Sequence, residues 1–205
     1  MRLLIATRNR KKLEELHRIL AVSPQLNSIE LLTLDDVSNY PEAPEKGLTF
    51  AENALMKARE GVKHTGLPTV GDDSGLTVDA LNGMPGVFSA RWAGKHGDDK
   101  ANLELLLAQL SDVDDEHRGA AFVAAVALVL PGGSATGNRE HLVHGKMPGR
   151  VIRAPRGTNG FGYDPIFVPE GHTVTSAELE SSVKDSISHR GRALRALAAV
   201  IAKSL

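Results

Sequence analysis

Two aspartates stand side by side in "TVGDDSGL", residues 69–76, where an apolar run meets Ser-Gly. Neighbouring carboxylates repel, so the pair reads either as an acidic turn or as a place that holds a cation. Side chains alternate faces along extended backbone, so Asp72 and Asp73 point in different directions, one to a ligand and one to the loop. A carboxylate at a strand end of an α/β protein lies where ligands usually bind. Mg²⁺ takes one or two carboxylates plus substrate phosphates, and Glu45, in the acidic loop upstream, is the second candidate. Glu52 reads instead as a helix cap.

Three further segments carry chemistry. In "ATRNRKK", residues 6–12, Arg8, Arg10, Lys11 and Lys12 crowd the start of a helix. Cations there oppose the helix dipole by about 0.3–1 kcal/mol each, which makes sense if an anion sits among them. A basic surface patch is the other reading. No GxxxxGK[ST] loop is present, so a phosphate site here is not of the Walker type. In "APRGTNGFGYDPIF", residues 154–167, Phe161 and Tyr163 flank Gly162. They read as a platform for stacking a base or as aromatics tucked into the core. In "KDSISHRGRAL", residues 184–194, Lys184, His189 and Arg190 lie beside a helix start. The histidines lack metal-ligand spacing, and no GxSxG motif accompanies the serines.

Elements must position these groups. "RLLIA" reads as a buried strand, and "RKKLEELHRIL" as a helix with Leu13, Leu16 and Leu20 on one face. A second helix spans 47–64, with Thr49 and Glu52 spaced as a capping box and Ala54, Leu55, Ala58 and Val62 as its stripe. "LPTVGDDSG" and "LTVDAL" read as two strand-like pieces around the acidic pair. A third helix covers 98–110 with Leu103, Leu106, Leu107 and Leu110 inward. "GAAFVAAVALVL" is stopped by Pro131-Gly132-Gly133 and reads as a hairpin strand with "HLVHGKM" as its return. A last helix carries Leu194, Leu197 and Ile201. This order predicts an α/β fold with a mixed central β-sheet covered by helices.

The chain has 205 residues, 41% hydrophobic and 24% charged, so one domain with a full core is expected. A net charge of -1 argues against a nucleic-acid binder. The absence of cysteine excludes disulfides and thiolate chemistry. No stretch reaches membrane-spanning length and no signal peptide is evident, so a cytoplasmic protein without membrane attachment is expected.

Taken in order, "DDSGL", "GMPGVFSARWAG", "GTNGFGYDPIF" and "SHRGRAL" resemble the inosine triphosphate pyrophosphatase family, over nearly the whole chain. The resemblance implies a single two-lobed domain over 1–205, with the active site in the cleft between the lobes, and a homodimer. It implies Mg²⁺-dependent hydrolysis of ITP, dITP and XTP to the monophosphate and pyrophosphate. Carried over by motif, Thr7, Asn9 and Lys12 bind phosphate, Lys57 faces the phosphates, Glu45 holds the metal, and Asp73, with Ser74 beside it, is the essential carboxylate. Phe161, Gly162, Tyr163, Asp164, Lys184, His189 and Arg190 form the base-recognition group.

Two features depart from the pattern. The first motif commonly has a small residue where this chain has Arg8, and Arg10 and Lys11 crowd Lys12, so several basic residues compete for the phosphates. A second "TGN" at 136–138 has His141 where the lysine should be, and is rejected. Whether Asp73 acts as a base or as a metal ligand stays open, because a carboxylate bound to Mg²⁺ is a weak base. A nucleotide-binding regulator without turnover is the rival reading; it would have little need for Asp73 with an acidic partner.

Overall fold

The computed structural model describes residues 2–10, 13, 14, 18, 29–41, 44–133 and 137–204. Lys11, Lys12, Leu16, Leu20 and Thr136 of the sequence expectations lie outside the described residues.

Among the described residues six strands form one sheet: β1 (Arg2–Ile5), β2 (Glu30–Leu32), β3 (Thr69–Val78), β4 (Gly119–Leu130), β5 (Arg139–Val151) and β6 (Phe167–Pro169). Their order is β2-β1-β3-β4-β5-β6. β1 runs parallel to β2 and β3, with Leu4 opposite Thr69 and Ile5 opposite Val70, whereas β5 and β6 are antiparallel. The sheet is therefore mixed, as expected. Among the described residues it is accompanied by the α-helices α1 (Phe50–Thr65), α2 (Asp99–Gln109), α3 (Ser181–Ile187) and α4 (His189–Ser204). Arg10, Leu13, Glu14 and Arg18 are also helical, and the Leu13 N–H donates to the Asn9 carbonyl at 2.9 Å.

The chain divides into two compact units. The first comprises Met1–Asp73, Ala124–Gly145 and Arg190–Leu205, and the second Ser74–Val123 and Lys146–His189.

In the first unit, β4 explains how a chain so rich in alanine builds a core. Its side chains alternate, so Ala124, Val126, Leu128 and Leu130 pack with Ala193, Leu194, Leu197 and Ile201 of α4. Ala125, Ala127 and Val129 face the other way, onto Ala54, Ala58 and Val62 of α1. A strand covered on both faces reads as a continuous apolar run, which is why its periodicity is ambiguous between helix and strand. Both arms of the α1 capping box form: Glu52 N–H donates to Thr49 Oγ1 at 3.1 Å, and Thr49 N–H to Glu52 Oε2 at 3.3 Å. Gly66 ends the helix in the left-handed region at φ 68°.

The second unit gathers Leu76 and Val78, Leu103 and Leu106 of α2 with Leu110 just past its end, Phe122, Met147 and Val151, and Ile166 and Phe167. Arg118 is buried there with its guanidinium donating to the carbonyls of Leu110 (2.6 Å), Val151 (2.9 Å) and Ile152 (3.3 Å). A buried cation held by carbonyl dipoles ties chain segments together rather than meeting a ligand.

One expectation is corrected. The pieces around the acidic pair are a single ten-residue strand, so Asp72 and Asp73 sit within β3 and not in a turn or at a strand end. The glycines that suggested a turn serve close approach instead. A Cβ on Gly71 would strike the Ala54 carbonyl and come within 2.8 Å of the Ala58 nitrogen, both on α1. A Cβ on Gly75 would strike the Ser89 hydroxyl. β2, β6 and α3 were not anticipated; each is seven residues or shorter.

Candidate active site

The close packing of α1 on β3 places two α1 side chains against the acidic pair. Lys57 Nζ donates to the Asp72 carbonyl at 3.1 Å and is ion-paired with Glu45. Burial alone would lower the Lys57 pKa, but Asp72, Asp73 and Glu45 together outweigh it and raise the value above 10.5. Asn53, wholly buried one turn earlier, donates from Nδ2 to Asp73 Oδ2 at 2.9 Å. Asp72 meets the other helix: Arg190 Nε of α4 lies 3.7 Å from its Oδ2. The two carboxylates thus have different partners, as alternation requires, and both are buried.

The amino-terminal motif follows β1 in the same unit. Thr7 is buried, and its hydroxyl accepts the Asn9 N–H at 3.3 Å. Arg8, Asn9 and Arg10 are exposed. The Arg8 guanidinium donates to Asn39 Oδ1 at 3.1 Å and the Tyr40 carbonyl at 3.3 Å. Lys11 and Lys12 lie outside the described residues.

In the second unit, Asp164 organises the glycine-rich loop. Its Oδ2 accepts the Phe161 N–H at 2.8 Å and Lys184 Nζ at 2.7 Å. The Lys184 ammonium also lies 5.5 Å from the Phe161 ring centroid, within cation–π range. Gly160 has φ 75°, and a Cβ there would strike Asp164 and approach Lys184 Nζ, so this turn needs glycine. The two loop aromatics separate: Phe161 is half-buried, while Tyr163 joins the core and donates its hydroxyl to the Ser89 carbonyl at 2.9 Å. Burial, and then the Asp99 charge, push the Tyr163 phenol far above its ordinary value, so it acts as a neutral donor. His189 stacks on Phe122 with centroids 5.0 Å apart and planes 12° apart. Ser74, next to Asp73 in β3, is half-buried.

Three supporting residues escaped the sequence reading. Asn53 lies four positions before Lys57, hence on the same helix face, and that spacing was the available signal. Asp99 accepts the Gly162 N–H at 3.0 Å from the first turn of α2, and no local pattern announces a partner 63 residues away. Ser89 accepts the Leu76 N–H at 2.9 Å and donates to the Gly86 carbonyl at 2.6 Å, holding residues 86–91 against β3.

The donors beside Asp73 suit a hard cation. Glu45 and Asp73 are carboxylates close enough to a common ammonium to raise its pKa. Among the described residues, no three or more histidine or carboxylate groups form a metal cage of their own. A divalent ion held by one or two carboxylates therefore needs oxygens from a ligand, the pattern of a metal that arrives with phosphates.

A mixed, helix-covered sheet with this acidic centre defines an α/β protein of the Ham1 family, to which the chain belongs: the family model matches residues 3–200. The dITP/XTP pyrophosphatase of Mycobacteroides abscessus is 61% identical over 197 residues, covering 96% of this chain and 93% of that protein. That of Nocardia farcinica is 60% identical over 201 residues, covering 98% and 95%. The solved structure of a HAM1 protein from Coxiella burnetii is 41% identical with a TM-score of 0.86 over 100% of both chains. The resemblance read from the four motifs is borne out.

Proposed function

We propose that this protein hydrolyses the non-standard purine nucleoside triphosphates ITP, dITP and XTP to the monophosphate and pyrophosphate, removing them from the nucleotide pool. The observation that carries the reading is the buried Asp73, oriented by Asn53 beside a lysine that three carboxylates keep charged. A protein that only bound nucleotide would have no use for a desolvated, oriented carboxylate among phosphate-directed cations. The relatives' shared name, dITP/XTP pyrophosphatase, supports the same substrates.

In this reading water attacks the α-phosphorus, and the bond from that phosphorus to the bridging oxygen of the β-phosphate breaks. Asp73 orients the water and receives its proton. Lys57, charged throughout the neutral range, stabilises charge developing on the triphosphate. Thr7, Asn9 and Lys12 hold the phosphates, with Arg8, Arg10 and Lys11 adding positive field. Glu45 and, where it is not serving as the base, Asp73 would hold Mg²⁺, which would neutralise phosphate charge. Phe161, Gly162, Asp164, Lys184, His189 and Arg190 select the base, and Tyr163 fixes the loop from beneath. The 6-oxo acceptor of hypoxanthine and xanthine suits donors that adenine's amino group would leave unpaired.

The same resemblance leads us to propose a homodimer acting in the cytoplasm as one two-lobed domain. Among the described residues no helix is long and apolar enough to cross a membrane.

The test is product identification. With Mg²⁺, pyrophosphate is expected from ITP and not from ATP, and Asp73→Asn abolishes it. Orthophosphate release, or tight binding of ITP without turnover, overturns the proposal. In the same assay, Lys184→Ala and Arg190→Ala should narrow the ITP-over-GTP preference; an unchanged preference removes both from base recognition.

A further inference from the structure

Asn53 uses both ends of its amide. Nδ2 donates to Asp73 Oδ2 at 2.9 Å, and Oδ1 accepts the Gly47 N–H at 2.8 Å. The partners fix the orientation, since a carboxylate can only accept and a backbone N–H can only donate. The side chain is wholly buried, and the bond to Asp73 is closed to water while that to Gly47 is half-buried. Gly47 is two residues after Glu45, and a Cβ on it would lie 2.6 Å from Asn53 Oδ1 and 2.8 Å from Glu52 Cβ. The loop therefore comes against the first turn of α1 only because residue 47 is glycine.

We infer that Asn53 is a positioning residue that ties two carboxylates from distant parts of the chain to one helical side chain. One end aims Asp73 from β3, and the other anchors the 45–47 loop that presents Glu45. The inference rests on the proposed reading of Asp73 as the reacting carboxylate. It concerns Asn53, which acts through Asp73 and not on the substrate.

Substitution separates the two ends. In Asn53→Asp the carboxylate still accepts from Gly47 but faces Asp73 as a like charge; in Asn53→Ala both bonds are lost. Groups that orient active carboxylates commonly cost about 10–100-fold when removed. N53D should therefore lower kcat for ITP with Mg²⁺ by about 10–100-fold, mostly without raising KM, while amide hydrogen exchange at Gly47 stays slow. N53A should lose kcat and Gly47 protection together. The exchanged pair N53D/D73N remakes the bond in reverse, the amide now donating from the β3 side, and should recover Tm without recovering turnover.

Retention of kcat within about twofold in N53D, or unchanged Gly47 exchange in N53A, overturns the inference. If N53D fails to fold, the exchanged pair decides: recovery of a near-wild-type Tm supports the bridge, and failure to recover it refutes it. If the wild-type protein releases no pyrophosphate from ITP, the functional reading falls instead, and the Gly47 exchange and Tm results still judge the bridge.

Discussion

Lys57 is the clearest case of a residue whose neighbours decide its state. Its folded pKa lies above the ordinary 10.5, so the ammonium's contribution to stability is fully present below that pH and lost only as pH rises through the folded value. Replacing Lys57 by Met removes the cation whose charge Glu45, Asp72 and Asp73 share, while Arg190 stays beside Asp72. Breaking a buried pair in this way should cost about 3–5 kcal/mol at pH 7 in urea denaturation without divalent ions. The deficit should narrow as pH falls and the carboxylates take up protons. At this scale the sequence is unevenly legible. Lys57, Glu45 and Asp73 show through motif resemblance, whereas Asn53 and Asp99 are hidden because their partners lie 20 and 63 residues away. Tyr163 is legible as an aromatic of the loop but not as a core residue, because that depends on Ser89 offering a buried carbonyl.

Among the elements, helices with local signals are the most fully legible. The α1 capping box and the Leu194, Leu197 and Ile201 face of α4 both form as the spacing requires. β3 reads as two pieces because Gly-Asp-Asp-Ser-Gly has the composition of a turn. The strand continues because its glycines admit the α1 backbone at Gly71 and Ser89 at Gly75, tertiary contacts that no window of sequence displays. Gly71→Ala is expected to push α1 away from β3, since the new methyl meets backbone atoms of Ala54 and Ala58 that cannot swing aside. The cost should be about 1–3 kcal/mol, visible as a lowered Tm, with a larger proportional loss of kcat because Lys57 and Asn53 move with the helix.

For the molecule as a whole, neither unit is a continuous stretch of chain: the first is drawn from three segments and the second from two. β3, β4 and β5 each contribute residues to both, the change falling between Asp73 and Ser74, Val123 and Ala124, and Gly145 and Lys146. A melted unit would therefore leave three half-strands without their continuation. We expect one thermal transition, with Trp92 fluorescence reporting the second unit and Tyr40 environment the first; separated midpoints would refute cooperative unfolding.

The core that joins Leu3 and Ile5 of β1 to Leu194, Leu197 and Ile201 of α4 carries a consequence for synthesis. Translation delivers β1 early and α4 late, so the ribosome releases every segment of the second unit while the first still lacks a wall. The first unit therefore closes only once α4 has emerged, behind every segment of the second unit, and β1 waits for its cover until then.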